Sequence, residues 1–408
     1  MRLAVLLGLA LATAQAQSIL PPEAAARFFD RNPAPLKCDV HSIRPALDFS
    51  FRFRAGYTVR VPFNQYRGPG HRWTMVVQVQ SESGGAPVAF VDQFDLPPVP
   101  KTDADGEVGG AFMLGEGRYQ AKFQLIDDQG RGCRAQWAIA PQPGLWDHGV
   151  KVAVTPGTIQ EVALRTARSA NAQTPPLGRL TVLLHAAASS AMKVEAGDVV
   201  TMLGALSSLL DLAPAQSVRL VVFNLDQRKE IYRADNFTPD RINQVRQAIF
   251  NLQLGTVDVQ TLQNSTGHFD LLAKLVNEEL TSPFPSEAVV FLGPHALSLD
   301  KPPDTFGKLP AAGPKFYYLQ YQRMLSAAQL LTLAASNPDF PDASNSRPAF
   351  RPDVTPVMGR GALSQTSPVR RDTIDYLVEM LKGKTLIVHN PGEFAAAIRR
   401  VAPPKHPK

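Results

Sequence analysis

Long apolar runs are missing from this chain. After the first sixteen residues no stretch approaches the roughly 18 apolar residues that cross a bilayer as a helix, so no integral membrane segment is expected. Glycine fingerprints are missing too. Neither a Walker loop nor a dinucleotide-type G-x-G-x-x-G occurs, which removes the common phosphate cradles, and no cofactor is expected. The G-x-S-x-G elbow of serine hydrolases is also absent, since Ser189 and Ser190 lie between Ala188 and Ala191. Formal net charge is +6, but the basic residues are scattered, with Lys405, His406 and Lys408 at the extreme C-terminus. No basic stripe interleaves with aromatics, so nucleic acid is not an expected partner. Cysteine is down to two residues, Cys38 and Cys133.

What is present begins with an export signal at residues 1–16. Arg2 gives the positive start, Leu3–Ala12 the short apolar core, and Ala14-Gln15-Ala16 the small-x-small cleavage site, with Ala16 and Gln17 flanking the cut. No cysteine follows the cut, so a lipid anchor is not expected, and a secreted or periplasmic location is. An even cysteine count in an exported chain favours a disulfide between Cys38 and Cys133. Prolines number 35, which predicts proline-punctuated loops and linkers.

Rhythm divides the rest. Residues 17–35 read as a polar N-terminal extension with one short helix at Glu23–Asp30. Residues 36–142 read as an all-β sandwich. Strict alternation predicts a half-buried strand at Leu47–Phe53, followed by Tyr57–Pro62, Trp73–Gln80, Val88–Phe94, Gly110–Leu114, the strand after Gly115, and Cys133–Ala140. Trp137 reads as a core residue. Residues 143–177 form a linker, with a possible extra hairpin about Pro156-Gly157. From 178 to 402 the rhythm becomes strand, helix, strand: Leu180–Leu184, Val218–Phe223, Ala288–Leu292, Lys315–Tyr321 and Thr385–Val388, with helices between them and a proline-rich loop at 337–368. Such alternation predicts an α/β, doubly wound, mostly parallel sheet. Residues 403–408 form a basic tail.

Two resemblances follow. The run Gly115-Glu116-Gly117-Arg118-Tyr119-Gln120-Ala121-Lys122-Phe123-Gln124-Leu125 resembles the tyrosine-corner region of immunoglobulin-like sandwiches. Residues 178–402 resemble a von Willebrand factor type A domain, mainly in element order, which implies a Rossmann-like layered body. In that family the first strand runs into Asp-x-Ser-x-Ser. With a threonine and an aspartate from two further loops it holds a divalent cation, whose open position takes a partner's carboxylate. This chain reads His185-Ala186-Ala187-Ala188-Ser189 there. His185 stands for the aspartate, Ala187 for the first serine, and Ser189 is retained; Thr266 matches the threonine, and Gly293 falls where the third-loop aspartate belongs. The resemblance therefore implies a degenerate adhesion site that holds no metal.

The same three loops carry His185, His268 and His295, and three imidazoles could hold zinc or copper. His389 ends the last strand with no serine or aspartate placed beside it, and the fold order puts it on the far side of the sheet. Asp127-Asp128 and Asn224–Asp226 read as turns. No catalytic residues are expected. The reading is an exported, non-enzymatic protein-binding or scaffold protein, acting through a metal-independent von Willebrand A-like domain. The alternative is a histidine-based transition-metal protein or hydrolase using the loops at the carboxyl edge.

Overall fold

A computed structural model of the chain describes residues 17–147, 149–162, 177–187, 194, 196–252, 266–296, 298–303, 313–321 and 371–403. The signal at 1–16, Ser189 and the loop 337–368 lie outside the described residues. The backbone forms three sheets with helices between them, and its contacts divide into two compact units. One unit is Met1–Thr174 with Val199–Pro214 and Asn390–Ala402; the other is Pro175–Asp198 with Ala215–His389 and Pro403–Lys408. Among the described residues no helix is long and apolar enough to cross a membrane.

The first unit opens with β1 (Ser18–Leu20), α1 (Pro22–Phe29) and β2 (Ala34–Pro35). The antiparallel strands follow: β3 (Asp39–Leu47), β4 (Phe53–Pro62), β5 (Arg72–Ser81), β6 (Val88–Asp95), β7 (Asp105–Leu114), β8 (Tyr119–Asp127), β9 (Arg131–Ile139) and the two-residue β10 (Ile159–Gln160). They build a six-stranded sheet, β1-β6-β5-β8-β9-β2, and a four-stranded sheet, β10-β7-β4-β3. Alternation explains the core. Tyr57, Val59 and Val61 on β4, Trp73, Met75 and Val77 on β5, Phe112 and Leu114 on β7, and Phe123 and Leu125 on β8 bury one side of each strand in a single cluster. Trp137 packs against that cluster, its ring 6.1 Å from Tyr57. Cys38, one residue before β3, is disulfide-bonded to Cys133 on β9, 95 residues on, so the link runs from one sheet to the other. The Tyr119 hydroxyl donates to the Gly115 carbonyl at 2.9 Å, closing the turn that starts β8.

Residues 17–35 do more than extend the chain. Strand β1 adds to β6, β2 runs parallel to β9, and Ala25 and Phe28 of α1 cover Val76, Ala89 and Ile126 on the outer face of the larger sheet. The strand expected across Leu47–Phe53 is not formed. Strand β3 stops at Leu47, β4 starts at Phe53, and residues 48–52 are a turn. Phe49 and Phe51 alternate because both rings at this tip are buried on Phe394, at 5.1 and 6.2 Å, not because the backbone is extended. Phe51 takes a positive φ of 55°, uncommon for a bulky residue and held here by that burial. Inside the tip, Asp48 Oδ1 accepts from the Ser50 amide at 2.8 Å, and Ser208 Oγ donates to the Phe49 carbonyl at 2.6 Å. Among the described residues the hairpin expected about Pro156-Gly157 is not formed either. Its first arm is not a strand: the Ala153 amide is spent on the Phe51 carbonyl at 2.7 Å. Only Ile159–Gln160 pairs, and it pairs with β7.

The chain continues through β11 (Leu177–His185), α2 (Ala196–Leu212), β12 (Ala215–Asn224), β13 (Lys229–Ala234), α3 (Ile242–Phe250), α4 (Gly267–Leu280), β14 (Ala288–Pro294), β15 (Lys315–Tyr321), α5 (Thr373–Met380), β16 (Lys384–Val388) and α6 (Pro391–Val401). Residues 199–212 of α2 and all of α6 belong to the first unit, and the other elements to the second. The sheet order is β13-β12-β11-β14-β15-β16, with every pairing parallel except β12 with β13. Strands β11, β12 and β14 are near-continuous apolar runs because a parallel sheet is buried on both faces. On one face Leu183, Val221, Phe223, Val289, Phe291, Phe316 and Tyr318 meet Leu271, Leu272, Leu275 and Val276 of α4 and Ile374, Leu377 and Val378 of α5. The α4 residues recur at i, i+1, i+4 and i+5, the stripe of a helix with one covered face. Toward the amino end of the sheet, buried Glu279 accepts from Arg219 Nη1 at 2.5 Å and from the Thr181 hydroxyl at 3.0 Å, which ties α4 to β11 and β12.

Candidate functional site at the carboxyl edge of the parallel sheet

Strands β11, β12, β14, β15 and β16 are parallel, so His185, Asn224, Pro294, Tyr321 and Val388 end on one edge. Sequence-consecutive strands run outward from β11 on one side and from β14 on the other, and such a reversal opens the crevice where ligands bind in open α/β sheets.

His185 sits at that reversal. It is 1% exposed, lies in register with Phe223, and stacks on that ring at 5.3 Å. Burial pushes its imidazole down to about 4; His295 acts in the same direction, and the Pro294 carbonyl opposes both. The ring is therefore neutral at neutral pH. Leu184 pairs with Leu292, which sets Gly293 beside His185, and a Cβ on Gly293 would stand 2.8 Å from the His185 Cβ. A large residue on β11 and no side chain on β14 are thus one size-matched pair. Next to it Asn224, fully buried, donates to the Ala186 carbonyl at 2.7 Å and accepts from the Gln227 amide at 2.7 Å. The Ala186 amide bonds to the Phe223 carbonyl at 2.8 Å, and Ala187 is 5% exposed. As far as it is described, the first-strand loop is tied down onto the end of β12.

The divalent cation held at this position in the resembled family does not fit these residues, in line with the degenerate site expected from the sequence. A hard cation wants carboxylate and hydroxyl oxygens. His185 offers a buried neutral ring, Ala187 a methyl, and Gly293 nothing, while Thr266 stands at the N-terminus of α4. The three-histidine alternative is not assembled either: among the described residues no three His, Cys, Asp or Glu side chains are grouped to hold a metal ion. His268 lies buried in the first turn of α4 with its ring 3.9 Å from that of Phe269. His389 directly follows β16 and so lies at this same carboxyl edge, on the outermost strand, not on the far side of the sheet.

One acid at this edge had no signature in the sequence. Asp372 caps α5, accepting from the Asp375 amide at 2.8 Å through Oδ1. Its Oδ2 accepts from the Ala296 amide at 2.8 Å, the Tyr318 hydroxyl at 2.9 Å and Gln320 Nε2 at 3.0 Å. The carboxylate is fully buried and accepts four hydrogen bonds, so it braces α5 against β15 and the segment after β14. Helical pattern after a proline-rich stretch marks the helix; nothing local marks the donors from β15 and the segment after β14.

The shifted histidine gives a pH signature. As pH falls from 6.5 toward 4 the unfolded chain protonates this imidazole and the folded chain does not, so stability drops by up to about 3 kcal/mol. Asp92 and Asp211, pushed up to about 6 by burial, act oppositely: between 3.8 and 6 the folded carboxyls keep protons that the unfolded chain has lost. The difference between wild type and His185→Leu isolates the histidine. Its urea-derived stability advantage should shrink steadily on acidification from pH 7 to 4; parallel curves would contradict the burial of a neutral ring.

No family model matches the chain. No curated protein matches it. Among solved structures, 27% of the chain is similar to 97% of a Bordetella pertussis protein named for ApaA, at 17% identity and a TM-score of 0.19. Another 28% alignment covers 86% of a lipoprotein from Bacteroides thetaiotaomicron, at 4% identity and a TM-score of 0.13. A glycosyl hydrolase family 2 member from Bacteroides cellulosilyticus aligns with 74% of the chain over 37% of its own length, at 10% identity and a TM-score of 0.19. Likenesses at these TM-scores carry no argument about fold or activity.

Proposed function

We propose that the protein is an exported, non-enzymatic binding or scaffold protein. In this reading an immunoglobulin-like sandwich accompanies a von Willebrand A-like α/β domain, which uses its carboxyl-edge loops to hold a protein partner without a cation. The single observation that carries it is the His185–Gly293 pair, which fills the first-strand position with a neutral ring where a cation-dependent site needs a carboxylate. Strand order, with one antiparallel edge strand on an otherwise parallel sheet, supports the domain assignment. The Tyr119 bond back to Gly115 has the form of a tyrosine corner and supports the sandwich assignment. The disulfide is compatible with export. The test addresses the carboxyl edge directly. Partner capture by the mature chain should be unchanged by EDTA and abolished by the paired edge substitutions Asp226→Arg and His295→Glu. Capture that needs Mg²⁺, or that survives the double variant, contradicts this function.

A further inference from the structure

We propose that Leu145 and Trp146, at the tip of the turn from Gly144 to Asp147, form an interfacial anchor that seats the chain on an anionic lipid surface. Leu145 and Trp146 are 81% and 73% exposed, the two most exposed large apolar side chains among the described residues. They are adjacent and stand at the tip of a built turn. Asp147 Oδ2 accepts from the Gly144 amide at 2.8 Å, the Asp147 amide bonds to the Gly144 carbonyl at 3.0 Å, and the Val150 amide bonds to the Asp147 carbonyl at 3.2 Å. The base is fixed as well. Arg399 Nη2 donates to the Gly149 carbonyl at 2.9 Å, and a Cβ on Gly392 would fall 2.1 Å from the Trp146 carbonyl oxygen, so glycine is required where α6 begins. The structure thus holds rigid a tip whose apolar side chains it leaves in water.

Charge completes the surface. Lys151 is exposed just after the turn, Arg399 is exposed and reaches the Gly149 carbonyl, and Arg400 is exposed next to it in sequence on α6. Of the acids there, Asp147 is engaged in the turn and Glu393 lies in the first turn of α6. Tryptophan favours the headgroup layer of a bilayer, and basic side chains beside it are drawn to acidic lipid. A two-residue apolar tip is small for a protein interface, which buries about 800 Å² per partner across some 20–30 residues. It suits shallow insertion, where binding scales with apolar area plus attraction to anionic headgroups.

The test uses the full mature chain with its disulfide intact and vesicles of phosphatidylcholine alone or mixed with phosphatidylglycerol. Co-sedimentation should occur with the anionic vesicles, weaken with salt, and shift tryptophan emission to the blue. The double variant Leu145→Ser with Trp146→Ser should bind roughly tenfold more weakly or worse. Lys151→Glu with Arg400→Glu should lose roughly fivefold for each cation removed. All four positions are exposed, so circular dichroism and thermal midpoint should match wild type. A chain that ignores both vesicle types overturns the proposal and leaves the tip as a protein contact. Equal binding to both vesicle types, or undiminished binding by the Leu145/Trp146 variant, overturns it too.

Discussion

Asp372→Ala is expected to lower stability by about 4 kcal/mol, because it strands two backbone amides and a glutamine amide that bond to this carboxylate. The Ala296 amide, the Tyr318 hydroxyl, Gln320 Nε2 and the Asp375 amide all bond to it within 3.0 Å, and the group is fully buried. Tyr318 keeps one other acceptor, the Pro294 carbonyl at 2.9 Å; the two backbone amides and the glutamine are left facing a methyl. Asp372→Asn keeps one acceptor oxygen but turns an amide donor toward donors, so about half the loss should remain. Urea unfolding of the three proteins measures this. A loss below about 1 kcal/mol for the alanine variant would mean that the carboxylate is not the brace of α5 against β15 and the segment after β14.

Removing the disulfide with Cys38→Ser and Cys133→Ser should have a similar or larger effect. For cysteines 95 residues apart the chain-entropy argument gives about 4–5 kcal/mol at 25 °C. The link also joins sheets that otherwise hold together by side-chain packing. Reduction of the wild type should reproduce the loss, and reduction of the double variant should do nothing further. An unchanged urea midpoint on reduction would show that the reduced, unfolded chain is already constrained by other means.

Sequence patterns located strands well where burial alone dictates the pattern. Leu180–Leu184, Ala288–Leu292 and Lys315–Tyr321 are apolar because both faces are covered, and each lies within a strand. Phe49 and Phe51 misled for the same reason in reverse: two aromatics at a docked tip mimic the period of a strand. The covering role of Ala25 and Phe28 was hidden in a segment that reads as polar and proline-punctuated. At the candidate site His185 and Gly293 were each visible, and their coupling was not. It depends on Leu184 standing opposite Leu292, a register between strands more than a hundred residues apart. Asp372 was least visible, since three of its four donors come from β15 and the segment after β14, far from it in sequence.

Isothermal titration of the mature, disulfide-bonded chain with Mg²⁺, Ca²⁺ and Mn²⁺ tests the central claim most directly. With a neutral buried ring at 185, a methyl at 187 and no side chain at 293, no saturable heat is expected, and EDTA should leave the thermal midpoint where it was. A saturable one-to-one site for any of these ions, weakened by a substitution at His185 or Thr266, would contradict it.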